Sequence, residues 1–174
     1  AKNGFNHTYF NYMGGVRDLQ RGSSGFKSII ITNTATNTVS PTEYLQNWPY
    51  NGRIKKQTIK DTSGKLISVS ESNYSLHSQN VRFPYLSFSL QKNYMLATIS
   101  ESAPVSVSRI TNTFDTCGNL TEQASKVGTG FSGVEVTGEL NTQSVVNVYD
   151  YNNTSACHDD FLTSSTQTVA KTGT

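Results

Sequence analysis

Cysteine, charge and long apolar runs are all scarce in this sequence. Two cysteines in 174 residues exclude a scaffold built on a disulfide framework. Charged residues make up 15% of the chain and the formal net charge is +2, too small to imply a nucleic-acid partner. The one short basic cluster, Arg53-Ile54-Lys55-Lys56, reads as a solvated strand face. No apolar run approaches the length a membrane-spanning helix needs, and the amino terminus shows no charged-then-apolar leader. Nor do the apolar residues hold a 3.6-residue period over a dozen positions, which excludes a long amphipathic helix.

What fills the chain is threonine, serine and asparagine. Threonine is at home in strands, asparagine and serine in turns, and only 34% of residues are hydrophobic, so the composition predicts an all-β chain with many polar faces. Alternation is plain in Ile67-Ser68-Val69-Ser70 and Val105-Ser106-Val107-Ser108, the mark of strands with one wet face. Between such runs one turn recurs. Phe114-Asp115-Thr116-Cys117-Gly118-Asn119-Leu120 is echoed by Lys60-Asp61-Thr62-Ser63-Gly64-Lys65-Leu66. In both, an aspartate can accept a bond from a backbone N–H two residues on, and a glycine (Gly118, Gly64) can take positive φ. Degenerate copies at Asn33–Asn37 and at Tyr149–Asn153, the latter with Asp150 and Asn153, put asparagine near the glycine position.

These signals order the chain as consecutive antiparallel hairpins in a single all-β segment, 1–174, that reads as part of a longer polypeptide. Residues 1–25 are predicted as a strand, Phe5 to Tyr12, and a glycine-rich loop, 14–25. The first two hairpins fall in 26–75: Phe26 to Thr32 with Thr38 to Tyr44, then Arg53 to Lys60 with Lys65 to Ser75, with a break at 47–52. A second break, 80–84, leads into a third hairpin region, 80–127, in which Leu86 to Ser100 is one long run and Pro104 to Phe114 pairs with Asn119 to Val127. Gly128-Thr129-Gly130 is predicted to begin another loop. The final strands, in 131–174, are Val134 to Val136, Gln143 to Tyr149 and Phe161 to Ala170. Strand spacing is uneven, so the reading is a meander and not a strict-period solenoid.

Candidate chemistry is thin. Cys117 and Cys157 can bridge if their loops approach within about 7 Å between Cα atoms; two free thiols are the default. Cys157-His158-Asp159-Asp160 is the only cluster of metal-capable side chains, but consecutive ligands cannot all converge on one ion, so it reads as a polar loop. His7 and His77 have no partner spacing, and no nucleophile elbow or phosphate loop occurs. Asp61 and Asp115 could form an acid pair, but each has a turn to close. The Asn-x-Ser/Thr triplets at Asn6, Asn73, Asn119, Asn152 and Asn153 are expected by chance in this composition. Trp48, Tyr50 and Tyr85, with Phe83, flank prolines; they read either as a sugar-stacking platform or as corner residues covering the sheet.

The order of these pieces resembles a family. Tyr12-Met13-Gly14-Gly15-Val16-Arg17-Asp18-Leu19-Gln20-Arg21-Gly22-Ser23-Ser24-Gly25-Phe26, Thr42-Glu43-Tyr44 with Trp48-Pro49-Tyr50-Asn51-Gly52-Arg53, and Gly64-Lys65-Leu66 with Asn73-Tyr74 resemble the shell region of Rhs/YD-repeat proteins. The similarity is to SpvB-like and TcB-like components of bacterial toxin complexes. It continues through Phe83-Pro84-Tyr85-Leu86-Ser87, the YD-like turn at Phe114–Thr121, Val148 to Asn153 and Phe161-Leu162-Thr163, and so covers essentially the whole chain. The resemblance implies hairpins wound into a hollow shell around a toxic cargo, of which this chain would be one arc. Ser23-Ser24 stands where the family carries bulky apolar residues, and Phe114 and Lys60 replace its signature tyrosine. No Asp-Pro occurs, so the family's protease role is not carried over.

The expected function is therefore structural: a secreted, non-enzymatic, virulence-associated wall segment. It would need no cofactor or metal, and its partners would be neighbouring shell hairpins of the same or a companion chain, with no nucleic acid and no membrane span. The rival is an autonomous β-sandwich adhesin or carbohydrate-binding module with a glycan partner. A hydrolase is the remoter alternative.

Overall fold

The computed structural model describes residues 6–77, 83–95, 98–151 and 160–171. They form ten strands: β1 (Thr8–Asp18), β2 (Gly22–Asn33), β3 (Thr38–Tyr44), β4 (Ile54–Asp61), β5 (Leu66–Leu76), β6 (Pro84–Asn93), β7 (Ser106–Phe114), β8 (Leu120–Ser132), β9 (Glu135–Tyr151) and β10 (Asp160–Lys171). They are hydrogen-bonded in the order of the sequence, β1 to β10, and all are antiparallel. The all-β hairpin fold class expected from composition and turns is what the chain adopts. No helix among the described residues is long and apolar enough to cross a membrane.

The chain packs as two compact units, Ala1–Ser72 with Gln91–Ser106 and Asn73–Leu90 with Val107–Thr174. Each has a small core. In the first, Leu66 and Val69 of β5 meet Tyr94; in the second, Leu90 of β6, Val107 of β7 and Val136 of β9 pack together with Phe131 against them. Cores this small follow from strands in which serine and threonine occupy alternate positions. The backbone ladders add to this limited apolar burial in holding the sheet.

Four sequence expectations are corrected. The glycine-rich passage 14–25 is not a loop but the facing ends of β1 and β2. Gly14 takes φ +64° beside a register shift between Gly15 and Arg17, so its glycines serve a bulge and a turn inside the ladder. Asp18 closes that turn, its Oδ1 accepting the N–H groups of Gln20 (2.8 Å) and Arg21 (3.0 Å). Second, Gly128-Thr129-Gly130 does not start a loop: β8 runs through it, pairing Gly128 with Glu139 and Gly130 with Thr137. Third, the two short strands expected in 134–149 are one strand of 17 residues, β9, which passes through Gly138 at φ +59°. Fourth, the long run Leu86 to Ser100 is cut short, because β6 ends at Asn93. Beyond that end, Tyr94 N–H bonds Ile67 O (3.0 Å) and Leu66 N–H bonds Thr98 O (2.9 Å).

Candidate functional site

Two turns share one hydrogen-bond plan. At 61–65 the Asp61 N–H donates to Lys65 O (2.9 Å) and the Gly64 N–H to Asp61 O (3.0 Å), while Asp61 Oδ1 accepts the Lys65 N–H at 2.8 Å. At 115–119 the Asp115 N–H donates to Asn119 O (3.0 Å) and the Gly118 N–H to Asp115 O (3.2 Å); Asp115 Oδ1 accepts the N–H groups of Cys117 (2.8 Å) and Asn119 (2.9 Å). Gly64 and Gly118 stand at φ +90° and +88°, where a side chain is strained. The two carboxylates lie in different compact units, each engaged with its own turn. At the third turn Asn33 Oδ1 accepts the N–H groups of Ala35 (2.9 Å) and Thr36 (3.3 Å), and Asn37 takes φ +51°. The fourth differs from the expectation: Asp150 is inside β9, opposite Phe161, and pairing runs on to Tyr151 with Asp160, so the chain does not reverse at Asp150. Asn153 lies outside the described residues.

The Ser63 hydroxyl donates to both Asp61 oxygens (2.7 and 2.8 Å), and with the backbone donors it holds the Asp61 carboxyl below its ordinary range. A depressed folded-state pKa means the stabilisation is present above the unfolded value and is lost as pH falls through the folded one. The Asp61 turn is therefore expected to keep its closing bonds at pH 4 and lose them on further acidification. An NMR titration of the Lys65 amide checks this: its shift should move with a midpoint below 3.8, and Asp61→Asn should abolish the movement.

The β7–β8 turn is seated on aromatic rings. His77, Phe83, Tyr85 and Phe114 follow one another with ring centroids 5.5, 6.2 and 4.5 Å apart. His77 Nε2 is 2.7 Å from Asp115 O, and a Cβ on Gly118 would fall 3.0 Å from the Phe83 ring. Tyr85, a candidate for sugar stacking, thus has its ring packed between Phe83 and Phe114. Trp48 is exposed and carries the Arg21 guanidinium 5.1 Å above its ring, and Tyr50 is half-buried. Trp48 and Tyr50 belong to the first unit and Tyr85 to the second. Sequence reasoning missed His77 and Phe114 as the rings beneath this turn; the phenylalanine heading the Asp115 motif was the available signal.

Cys117, by default a free thiol, is disulfide-bonded; Cys157, with His158 and Asp159, lies outside the described residues. No group of three or more His, Cys, Asp or Glu side chains is gathered among the described residues. Charges pair instead. Lys56 Nζ meets both Glu101 oxygens (2.8 and 2.9 Å), and the buried Lys92 ammonium bonds Glu71 at 3.1 Å. Burial, with Glu101 and Glu71 nearby, pushes the Tyr94 hydroxyl up to about 12. A cavity of about 230 Å³ between Gly25, Phe26, Ile29, Tyr44 and Gly52 has no acid, imidazole or thiol in its lining. One of about 330 Å³ over β8, β9 and β10 has only Lys126, which is paired with Glu139 at 2.8 Å.

Exposed apolar groups are spread over the chain, and β1, the first strand of the order, carries a run of them. Tyr9, Phe10, Tyr12, Met13 and Val16 are all exposed, on both faces of the strand. At the other end of the order, residues 162–171 of β10 are exposed throughout.

These features define a class: an antiparallel meander whose polar side chains close turns and pair charges. No protein-family model matches the sequence, and a comparison with curated proteins found no match. Among solved structures, the fold is similar to part of one chain in the crystal structure of TcdB2-TccC3-Cdc42, with a TM-score of 0.64 at 10% identity. The likeness covers 95% of this chain and 12% of that one. At that identity it is a likeness of fold alone.

Proposed function

We propose that the chain is a non-catalytic length of wall in the shell of a secreted toxin complex, which encloses a toxic cargo or supports its delivery. Its partners in this reading are neighbouring hairpins of the same or a companion chain. The observation that carries the proposal is the strand order: ten strands hydrogen-bonded strictly in sequence, with the fold likeness spanning 95% of the chain. The shell-type sequence order from Tyr12 to Thr163 supports it independently. The energetics agree with it as well. Strands with small cores and apolar end-strand residues gain from further pairing on either side, which also removes edges prone to aggregation. A glycan-binding reading rests on Trp48, since the Tyr85 ring is packed between two others. The test is the structure of a longer polypeptide that carries this segment, in which β1 and β10 are each expected to be continued by another strand.

A further inference from the structure

We propose that the free end of the β1–β2 hairpin is a docking tip for anionic lipid surfaces. β3 pairs with β2 from Ser28 to Asn33, whereas the pairing of β1 with β2 runs on to Asp18 with Gly22. Because β1 is also first in the strand order, residues 15–26 form a ribbon of two strands that outruns β3. Leu19, in the turn at its end, is 99% exposed, the highest value among the exposed large apolar side chains. Val16 on the same ribbon is exposed as well, and so is Trp48 in the loop after β3. That loop is tied to the ribbon. Gln46 Nε2 donates to Gly14 O (2.7 Å) and to Gly25 O (3.2 Å), and the Arg21 guanidinium lies 5.1 Å from the Trp48 ring centroid. All these residues belong to the first unit.

Charge selects the partner. Arg17, Arg21 and Lys27 are exposed on this hairpin against one carboxylate, Asp18, which is itself 3.9 Å from Arg21. Three cations and one anion leave two positive charges in excess, as many as the formal net charge of +2 on the whole chain. An apolar tip with an indole and several cations behind it matches the layers of a bilayer interface. Leu19 and Val16 reach the acyl boundary, Trp48 lies at headgroup level, and the guanidinium and ammonium groups meet lipid phosphates.

The backbone limits the depth. The open edges of a two-stranded ribbon cannot enter hydrocarbon, where their N–H and C=O groups would find no partner, so the contact stays peripheral and needs no spanning segment. The turn itself is prepared for partial desolvation. Asp18 Oδ1 accepts the N–H groups of Gln20 and Arg21 (2.8 and 3.0 Å), and Ser23 Oγ accepts that of Gly25 (3.2 Å). Donors already bonded within the protein cost less to take out of water. The inference goes beyond the wall reading and does not rest on it.

Trp48 is the chain's one tryptophan, so its fluorescence reports docking at this tip. The full chain is titrated with vesicles of phosphatidylcholine alone and of phosphatidylcholine mixed with phosphatidylglycerol. A blue shift of Trp48 emission and co-sedimentation with the mixed vesicles are expected, with affinity at least about tenfold above that for neutral ones and lost at high salt. Leu19→Ser should weaken binding about tenfold; its side chain is almost wholly exposed, so circular dichroism should match the parent. Arg17→Gln with Lys27→Gln should remove most of the preference for the mixed vesicles, while Lys171→Gln on β10 leaves it intact. Binding to neither vesicle overturns the proposal and leaves the tip to a protein partner. Equal binding to both vesicles, a Leu19→Ser variant that binds like the parent, or an equal loss with Lys171→Gln, which would mean adsorption by net charge, overturns it too.

Discussion

Gly128→Val is expected to destabilise β8 and β9 by about 3 kcal/mol, among the largest effects of any single change in the chain. The cause is steric and not conformational, since Gly128 is absent from the residues at positive φ. A Cβ there would lie 2.5 Å from Thr137 O, 2.6 Å from Val136 Cγ1 and 2.9 Å from Gly138 O. Two of those three atoms are backbone of the neighbouring strand, which cannot rotate out of the way as a side chain can. The ladder from Gly128 with Glu139 to Ser132 with Glu135 would have to separate. Gly64→Ala is the contrast: no atom lies within 4 Å of its Cβ position and the φ is +90°, so only backbone strain of about 1 kcal/mol is expected. Denaturant-dependent hydrogen exchange at β8 and β9 amides measures the first, and the same experiment at β4 and β5 measures the second.

Leu90→Ala should cost about 3 kcal/mol in the second unit. Leu90 is 1% exposed and packs with Val107 (0%) and Val136 (6%), so the change leaves a cavity in a cluster that has only two other fully or nearly buried members. Strands rich in serine and threonine offer few apolar groups to collapse into the space. Loss of amide protection across β7, β8 and β9, with Leu90→Met nearly neutral, is the expected result. An alanine variant as stable as the parent would mean that the ladders carry the unit without this core.

The fold class was legible because short alternating runs are punctuated by Asp- and Asn-headed turns, and adjacent strands in sequence are adjacent in the sheet. Glycine limited the reading. At Gly14, Gly128 and Gly138 it permits a bulge or a close approach inside a strand, yet in a sequence these look the same as the glycines of a loop. The hairpin of β1 and β2 and the full lengths of β8 and β9 were hidden for that reason. At Asp18 the turn was obscured because its glycine, Gly22, is four residues on and not three. Contacts between distant residues were also out of reach. Nothing near Tyr85 shows that Phe114 lies 4.5 Å from it, and nothing near Cys117 shows that it is bonded.

If this chain is a length of continuous wall, electron cryomicroscopy of a longer polypeptide carrying it is the most direct test. The expected map shows a hollow shell in which a further strand lies about 4.8 Å beyond β1 and another beyond β10, covering Tyr9, Phe10, Tyr12 and Met13. A map in which β1 and β10 end the sheet, with this segment standing as a separate domain on a flexible connection, would contradict it.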